Sequence, residues 1–211
     1  MDLSASETRV LGCLLEKQRT TPNGYPLSLN ALRLACNQTT NRDPIVEYDD
    51  AVLRDALHRL ERRGFARLAS GSGSRAAKYR HLLEQALPMD AQEQALICVL
   101  MLRGPQTPGE LKQRTERMYV FDDPADVREA LTRLIERELV SDLGRRPGQK
   151  EERFAQLLED NAEEEGPVVG APAHSPNGPT LEELVERVSR LEREVGQLRA
   201  AMRDPSSQQY Q

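Results

Sequence analysis

The sequence contains no tryptophan, and aromatic residues make up only 4% of it. A large β-sandwich or a deep aromatic-lined pocket is therefore not expected. No stretch approaches the ~18 consecutive apolar residues of a membrane-spanning helix. The opening Met1-Asp2-Leu3-Ser4-Ala5-Ser6-Glu7 lacks the basic and apolar regions of a secretory signal. Cysteine is scarce and odd in number: Cys13, Cys36 and Cys98 stand apart within apolar helical patterns. They read as small buried hydrophobes in a reducing cytoplasm rather than as disulfides or nucleophiles. His58, His81 and His174 are too scattered to suggest a metal site. There is no Gly-rich phosphate loop, no Gly-x-Ser-x-Gly elbow and no paired Cys or His ligands. The expectation is a chain without enzymatic activity, cofactor or metal.

What is present points to exposed helix: 38% hydrophobic and 30% charged residues in 211. The net charge of −5 is unevenly spread. Residues 1–87 carry 13 Lys/Arg against 10 Asp/Glu, residues 88–160 carry 11 against 15, and residues 161–211 carry 5 against 9. A local basic face is therefore compatible with an acidic whole.

An internal repeat organises the first 160 residues. At an offset of 86, Leu3-Ser4-Ala5-Ser6-Glu7 falls on Met89-Asp90-Ala91-Gln92-Glu93, and Thr21-Pro22 on Thr107-Pro108. At an offset of 74, Asp55-Ala56-Leu57-His58-Arg59-Leu60 falls on Glu129-Ala130-Leu131-Thr132-Arg133-Leu134. The drop in offset predicts about twelve extra residues in the first copy, between its second and third helices.

Each copy begins with a capping box, Ser4 with Glu7 or Asp90 with Glu93. The first helix then buries Val10, Leu11, Leu14 and Leu15, or their counterparts, at helical spacing. Second helices are expected over about 28–36 and 108–118, the latter opened by the capping box of Thr107 and Glu110. Third helices are expected over about 50–63 and 124–138, with inward faces Val52, Leu53, Ala56, Leu57, Leu60 and Val127, Ala130, Leu131, Leu134, Ile135. The pairs Asp49-Asp50 and Asp122-Asp123 immediately precede these third helices, where carboxylates cap a helix in preference to holding a metal. Short strands at 65–68 and 77–80, and at 139–142 and 152–155, flank turns. Three helices and a hairpin, twice over, predict tandem winged helix-turn-helix domains at 1–87 and 88–160, mainly α with small β-hairpins, an α+β class.

Several longer motifs carry a family resemblance. Leu14-Leu15-Glu16-Lys17-Gln18, Tyr25-Pro26-Leu27-Ser28, the run from Ala35-Cys36 through Asn41-Arg42-Asp43-Pro44, Arg103-Gly104-Pro105-Gln106-Thr107-Pro108 and Arg117-Met118-Tyr119 occur in order. In these the chain resembles the YceH-type family of uncharacterised bacterial proteins over about residues 3–160. The resemblance implies tandem winged helices in a bacterial cytoplasm and supplies no activity.

Residues 161–179 are rich in Pro, Gly and Glu and read as a disordered linker. Over 180–203, Leu181, Val188, Val195 and Met202 recur every seven residues, with Leu184, Leu191 and Leu198 between them. β-Branched residues at one seam position and Leu at the other favour a parallel two-stranded coiled coil, hence a homodimer. A polar tail, 204–211, is expected to be disordered.

Winged helices usually place the helix before the hairpin in the major groove and the wing on the backbone. In the first copy the outward side of that helix offers Arg54, His58, Arg59 and Arg62, and the wing adds Arg75 and Lys78. In the second copy the candidates are the wing residues Arg145, Arg146 and Lys150. The polar stretch 37–44 reads first as a helix stop and an ordered turn. Its functional reading places Asn37, Gln38, Asn41 and Arg42 on the nucleic-acid face. Two functions remain open: a dimeric DNA-binding transcriptional regulator, and a module whose winged helices bind protein partners.

Overall fold

The computed structural model describes residues 2–69, 77–145 and 151–159. The linker, heptad segment and tail lie outside the described residues, as do the wing tips that hold Arg75, Arg146 and Lys150.

Polar N-caps set the starts of the six main helices. Ser4 caps α1 (Ala5–Thr20) and Asp90 caps α5 (Ala91–Arg103), each in a full capping box. Ser28 caps α2 (Leu29–Cys36) and Thr107 caps α6 (Pro108–Thr115). Asp49 caps α3 (Asp50–Arg62) and Asp123 caps α7 (Pro124–Glu136), so these carboxylates satisfy helix donors as expected. A four-residue helix, α4 (Leu83–Ala86), closes the first copy and was not anticipated from the sequence.

The caps relocate the insertion. Equivalent caps are 86, 79 and 74 residues apart for the first, second and third helices. Seven of the extra residues therefore precede α2 and five follow it, in place of twelve between α2 and α3. Thr21-Pro22 does not open a helix like Thr107-Pro108: Thr21 ends α1, and Pro22–Gly24 forms a 3-10 turn.

Each hairpin follows its third helix. β2 (Ala66–Leu68) and β3 (Lys78–His81) pair antiparallel, with Ala66 opposite His81 and Leu68 opposite Tyr79. β1 (Leu27–Ser28) adds to the other edge of β3, Leu27 opposite Tyr79. In the second copy β4 (Val140–Arg145) pairs antiparallel with β5 (Glu152–Gln156), and the place of β1 is taken by a single bridge from Gln106 to Phe154. The result is a mixed α+β fold, mostly helical, with the element order that a winged helix-turn-helix requires in each half.

Both third helices end alike. Phe65 donates to the Leu60 carbonyl at 2.9 Å and Gly64 to Glu61 at 3.1 Å, and Leu139 and Glu138 repeat the pattern on Leu134 and Ile135. This is a Schellman ending, which needs a left-handed residue at its turn. Gly64 supplies φ 77° without penalty, whereas its counterpart Glu138 is held at φ 54°.

All described residues fall within one compact unit, Met1–Pro167, in which α1 and α5 lie against each other. Each is therefore covered on more than one side. The run Glu7 to Leu15 of α1 is buried throughout, as is Glu93 to Leu102 of α5. A Cβ on Gly12 would sit 2.9 Å from Leu102 Cδ2 and 3.2 Å from Met101 Cβ, so the glycine permits the close approach. The third helices are instead buried on one narrow stripe, Leu53, Ala56, Leu57 and Leu60 in α3. Val52 and Ile135, expected to point inward, lie at the stripe edges and are 38% and 36% exposed. The start and finish of the unit are joined, because Leu3 donates to the Leu158 carbonyl at 2.9 Å and bridges Glu159 in parallel.

Candidate nucleic-acid interface

A helix buried on one stripe leaves the rest of its surface to solvent. On α3 the residues Arg54, His58 and Arg62 follow one another at four-residue spacing, and all are exposed. Arg54 is 67% exposed and stands 3.7 Å from Asp50, which also lies 3.4 Å from Arg33 on α2. Arg59 is tied more closely to Asp55, at 2.7 Å. The side chains of His58 and Arg62 make no ion pair or hydrogen bond among the described residues. Exposed pairs of this kind stabilise a fold by only ~0.5 kcal/mol, so Arg54 and Arg59 exchange partners at small cost. Lys78 is exposed on β3, opposite Ser28 in the ladder.

In the second copy the arginines of α7 and its C-cap are paired with carboxylates. Arg133 lies 3.2 Å from Asp90, 3.5 Å from Glu93 and 3.3 Å from Glu129, while Arg137 lies 3.1 Å from Glu93. Glu152 of β5 takes Arg128 at 3.3 Å and Arg145 at 3.6 Å. Arg145 is thus exposed but partnered, and Arg75, Arg146 and Lys150 lie outside the described residues.

The polar stretch after α2 forms the helix stop and ordered turn first expected of it, and of its four candidates Arg42 is buried and not on the surface. Arg42 has no exposed side-chain area. Its guanidinium grips both Glu16 oxygens, at 2.7 and 3.2 Å, and donates to the Ala35 and Asn41 carbonyls at 3.1 and 2.8 Å. Burial alone would raise the Glu16 carboxyl, but the Arg42 hydrogen bonds and charge hold it below its ordinary value. Asn37 clasps the main chain of Tyr48 with two hydrogen bonds of 2.9 Å. Asn41 is left-handed at φ 61°, and its Oδ1 accepts from Arg103 at the end of α5. Gln38 stays half-exposed. Local pattern gives no signal for the Arg42 site, since Glu16 shares its helix face with Arg9, Gly12, Cys13 and Thr20 and is followed by Lys17.

Among the described residues no group of three or more His, Cys, Asp or Glu could hold a metal ion, and no helix is long and apolar enough to cross a membrane. Cys13, Cys36 and Cys98 are buried free thiols, as expected.

These observations define a mixed α+β, mostly helical protein built from two unequal copies of one helix-and-hairpin unit. A family model described as "Protein of unknown function, DUF480" matches residues 3–149. Similar proteins include a UPF0502 protein of Shewanella sp. (strain ANA-3), 42% identical over 207 residues that cover 94% of this chain and 95% of the relative. Others are a UPF0502 protein of Serratia proteamaculans, 46% identical over 208 residues (94% and 92%), and one of Geobacter metallireducens, 49% identical over 197 residues (92% and 88%). The chain belongs to this DUF480 or UPF0502 family of uncharacterised bacterial proteins, in agreement with the resemblance read from its motifs.

Proposed function

We propose that this chain is a non-enzymatic cytoplasmic winged-helix protein that binds double-stranded DNA as a homodimer and acts in transcriptional regulation. The observation that carries the reading is the row Arg54, His58 and Arg62 on α3, the helix that directly precedes the hairpin. Winged helices insert that element into the major groove, where arginines pair with guanine edges or phosphates. Lys78 extends the row toward the backbone, and Arg75 would do so from the wing. With its third-helix arginines tied to carboxylates, the second copy contributes through Arg145, Arg146 and Lys150. Pairing of two chains through the heptad pattern of 180–203 would double the whole interface.

The test is binding of the full chain to duplex DNA over a salt series. Log K should fall with log salt, and an Arg54→Ala/Arg62→Ala variant should flatten that slope by about 2 for two lost phosphate contacts. No binding at low salt overturns the reading. Truncation after Gly178 should halve the mass in solution; an unchanged mass removes the coil from the assembly.

A second reading, in which the winged helices bind a protein partner, is favoured by Leu34, Ile45 and Val52. They lie on α2, the connection and α3, and are 63%, 54% and 38% exposed. Exposed apolar side chains suit a protein partner better than a phosphate backbone.

A further inference from the structure

A cavity of about 500 Å³ opens where α1, the turn carrying Asn41, the end of α5 and the residues after α6 meet. Its volume lies within the range of small-molecule sites. Three arginines, Arg103, Arg114 and Arg117, line it together with Glu16 and Glu116.

The charges do not cancel. Glu16 is held by Arg42 at 2.7 Å and by Lys17 at 3.3 Å. Arg114 shares Glu110 at 3.3 Å. Arg103 has only the neutral amide of Asn41 as a side-chain partner, and Arg117 has none among the described residues. Set against Glu116, these two leave one positive charge in excess on the wall. Partial burial first, then the nearby charges of Arg114 and Arg42, push the Arg103 guanidinium below its usual value, and an anion beside it would favour the charged form. Val99, Leu102 and Met118 supply an apolar part of the lining.

We propose that this cavity is a binding site for a small organic monocarboxylate, its carboxylate between Arg103 and Arg117 and its hydrocarbon body against Val99, Leu102 and Met118. A planar guanidinium accepts a carboxylate through two parallel hydrogen bonds, and the single excess charge matches a monoanion. The site is shared by both copies of the repeat, since Asn41 of the first copy orients Arg103 of the second. It does not depend on DNA binding.

Benzoate is the probe, benzamide its uncharged counterpart, and nuclear magnetic resonance of the full chain the measurement. Benzoate should saturably shift the Arg103 Nε and Met118 methyl signals, while benzamide leaves them in place. Arg103→Gln and Arg117→Gln should each weaken benzoate binding on the order of tenfold, with Arg62→Gln on α3 unchanged. Arg117 has no partner among the described residues, so Arg117→Gln leaves the fold intact and keeps the test valid if Arg103→Gln unfolds. Equal shifts by benzoate and benzamide, no saturation, or unaltered binding in Arg117→Gln overturns the proposal. Any of these results leaves the DNA reading as it stood.

Discussion

The thiol of Cys98 lies 3.5 Å from the carbonyl oxygen of Gly12, the residue it corresponds to in the repeat. The first helices of the two copies therefore touch at equivalent positions, glycine on one side and a small thiol on the other. Larger side chains at either place would force α1 and α5 apart.

Gly12→Val places a branched side chain where a single Cβ already meets Leu102 and Met101. The expected cost is about 1–3 kcal/mol of overpacking, measured by urea denaturation. A variant as stable as the parent would mean that the two helices are not closely apposed.

Glu16→Gln removes the charge that compensates Arg42, whose side chain has no exposed area. Loss of one partner of a buried pair costs about 3–5 kcal/mol, and Glu16→Leu/Arg42→Met should recover much of it. Because Arg42 holds the Glu16 carboxyl below its ordinary value, the stability it contributes is present above the ordinary carboxylate range. It is lost as the pH falls through the lower folded value. A double variant worse than Glu16→Gln alone would contradict the pairing.

His81 gives a second pH dependence. Its Nδ1 accepts the Leu83 N–H at 3.2 Å, so Nε2 carries the proton and donates to Gln18 Oε1 at 2.5 Å. Burial first, then the charges of Arg80 and Arg19, push its pKa down to about 4. The unfolded chain protonates near the ordinary histidine value, so this contribution is complete above that value and lost as the pH drops toward about 4. Between roughly pH 7 and pH 5 the loss is about 2 kcal/mol. His81→Gln should lose less over that range in calorimetry, and identical slopes would count against the neutral ring.

Glu138→Gly should raise stability by about 0.5–1 kcal/mol, because glycine takes the left-handed turn that glutamate holds at φ 54° under strain. The counterpart substitution Gly64→Ala should cost a similar amount. Thermal midpoints that move the other way would reject the equivalence of the two helix ends.

Helix starts were legible because Ser4, Asp90, Thr107, Asp49 and Asp123 are capping residues whose chemistry is local. The placement of the insertion was not. Thr21-Pro22 and Thr107-Pro108 are alike as letters, but only the second is followed by a glutamate that completes a capping box. Burial of Arg9 escaped the periodicity because its guanidinium donates to the Cys36 and Pro44 carbonyls, at 3.3 and 2.6 Å, which lie far along the chain. The unbroken apolar run from Ala95 to Leu102 was the clue, since one amphipathic face cannot use eight apolar residues in succession. Of the site, the exposed row on α3 follows from helical spacing alone. The cavity at Arg103 does not, because residues 41 and 103 meet only through the docking of the two copies.

The bond between Leu3 and Leu158 makes the duplicated unit a closed circuit in space, although the chain enters it at one point and leaves beside it. A short peptide joining residues 2 and 159, with new ends cut between the copies at 87 and 88, would reverse their order without breaking a helix or a strand. Such a permuted chain should fold to the same core, and which copy comes first would then be an accident of where the gene begins.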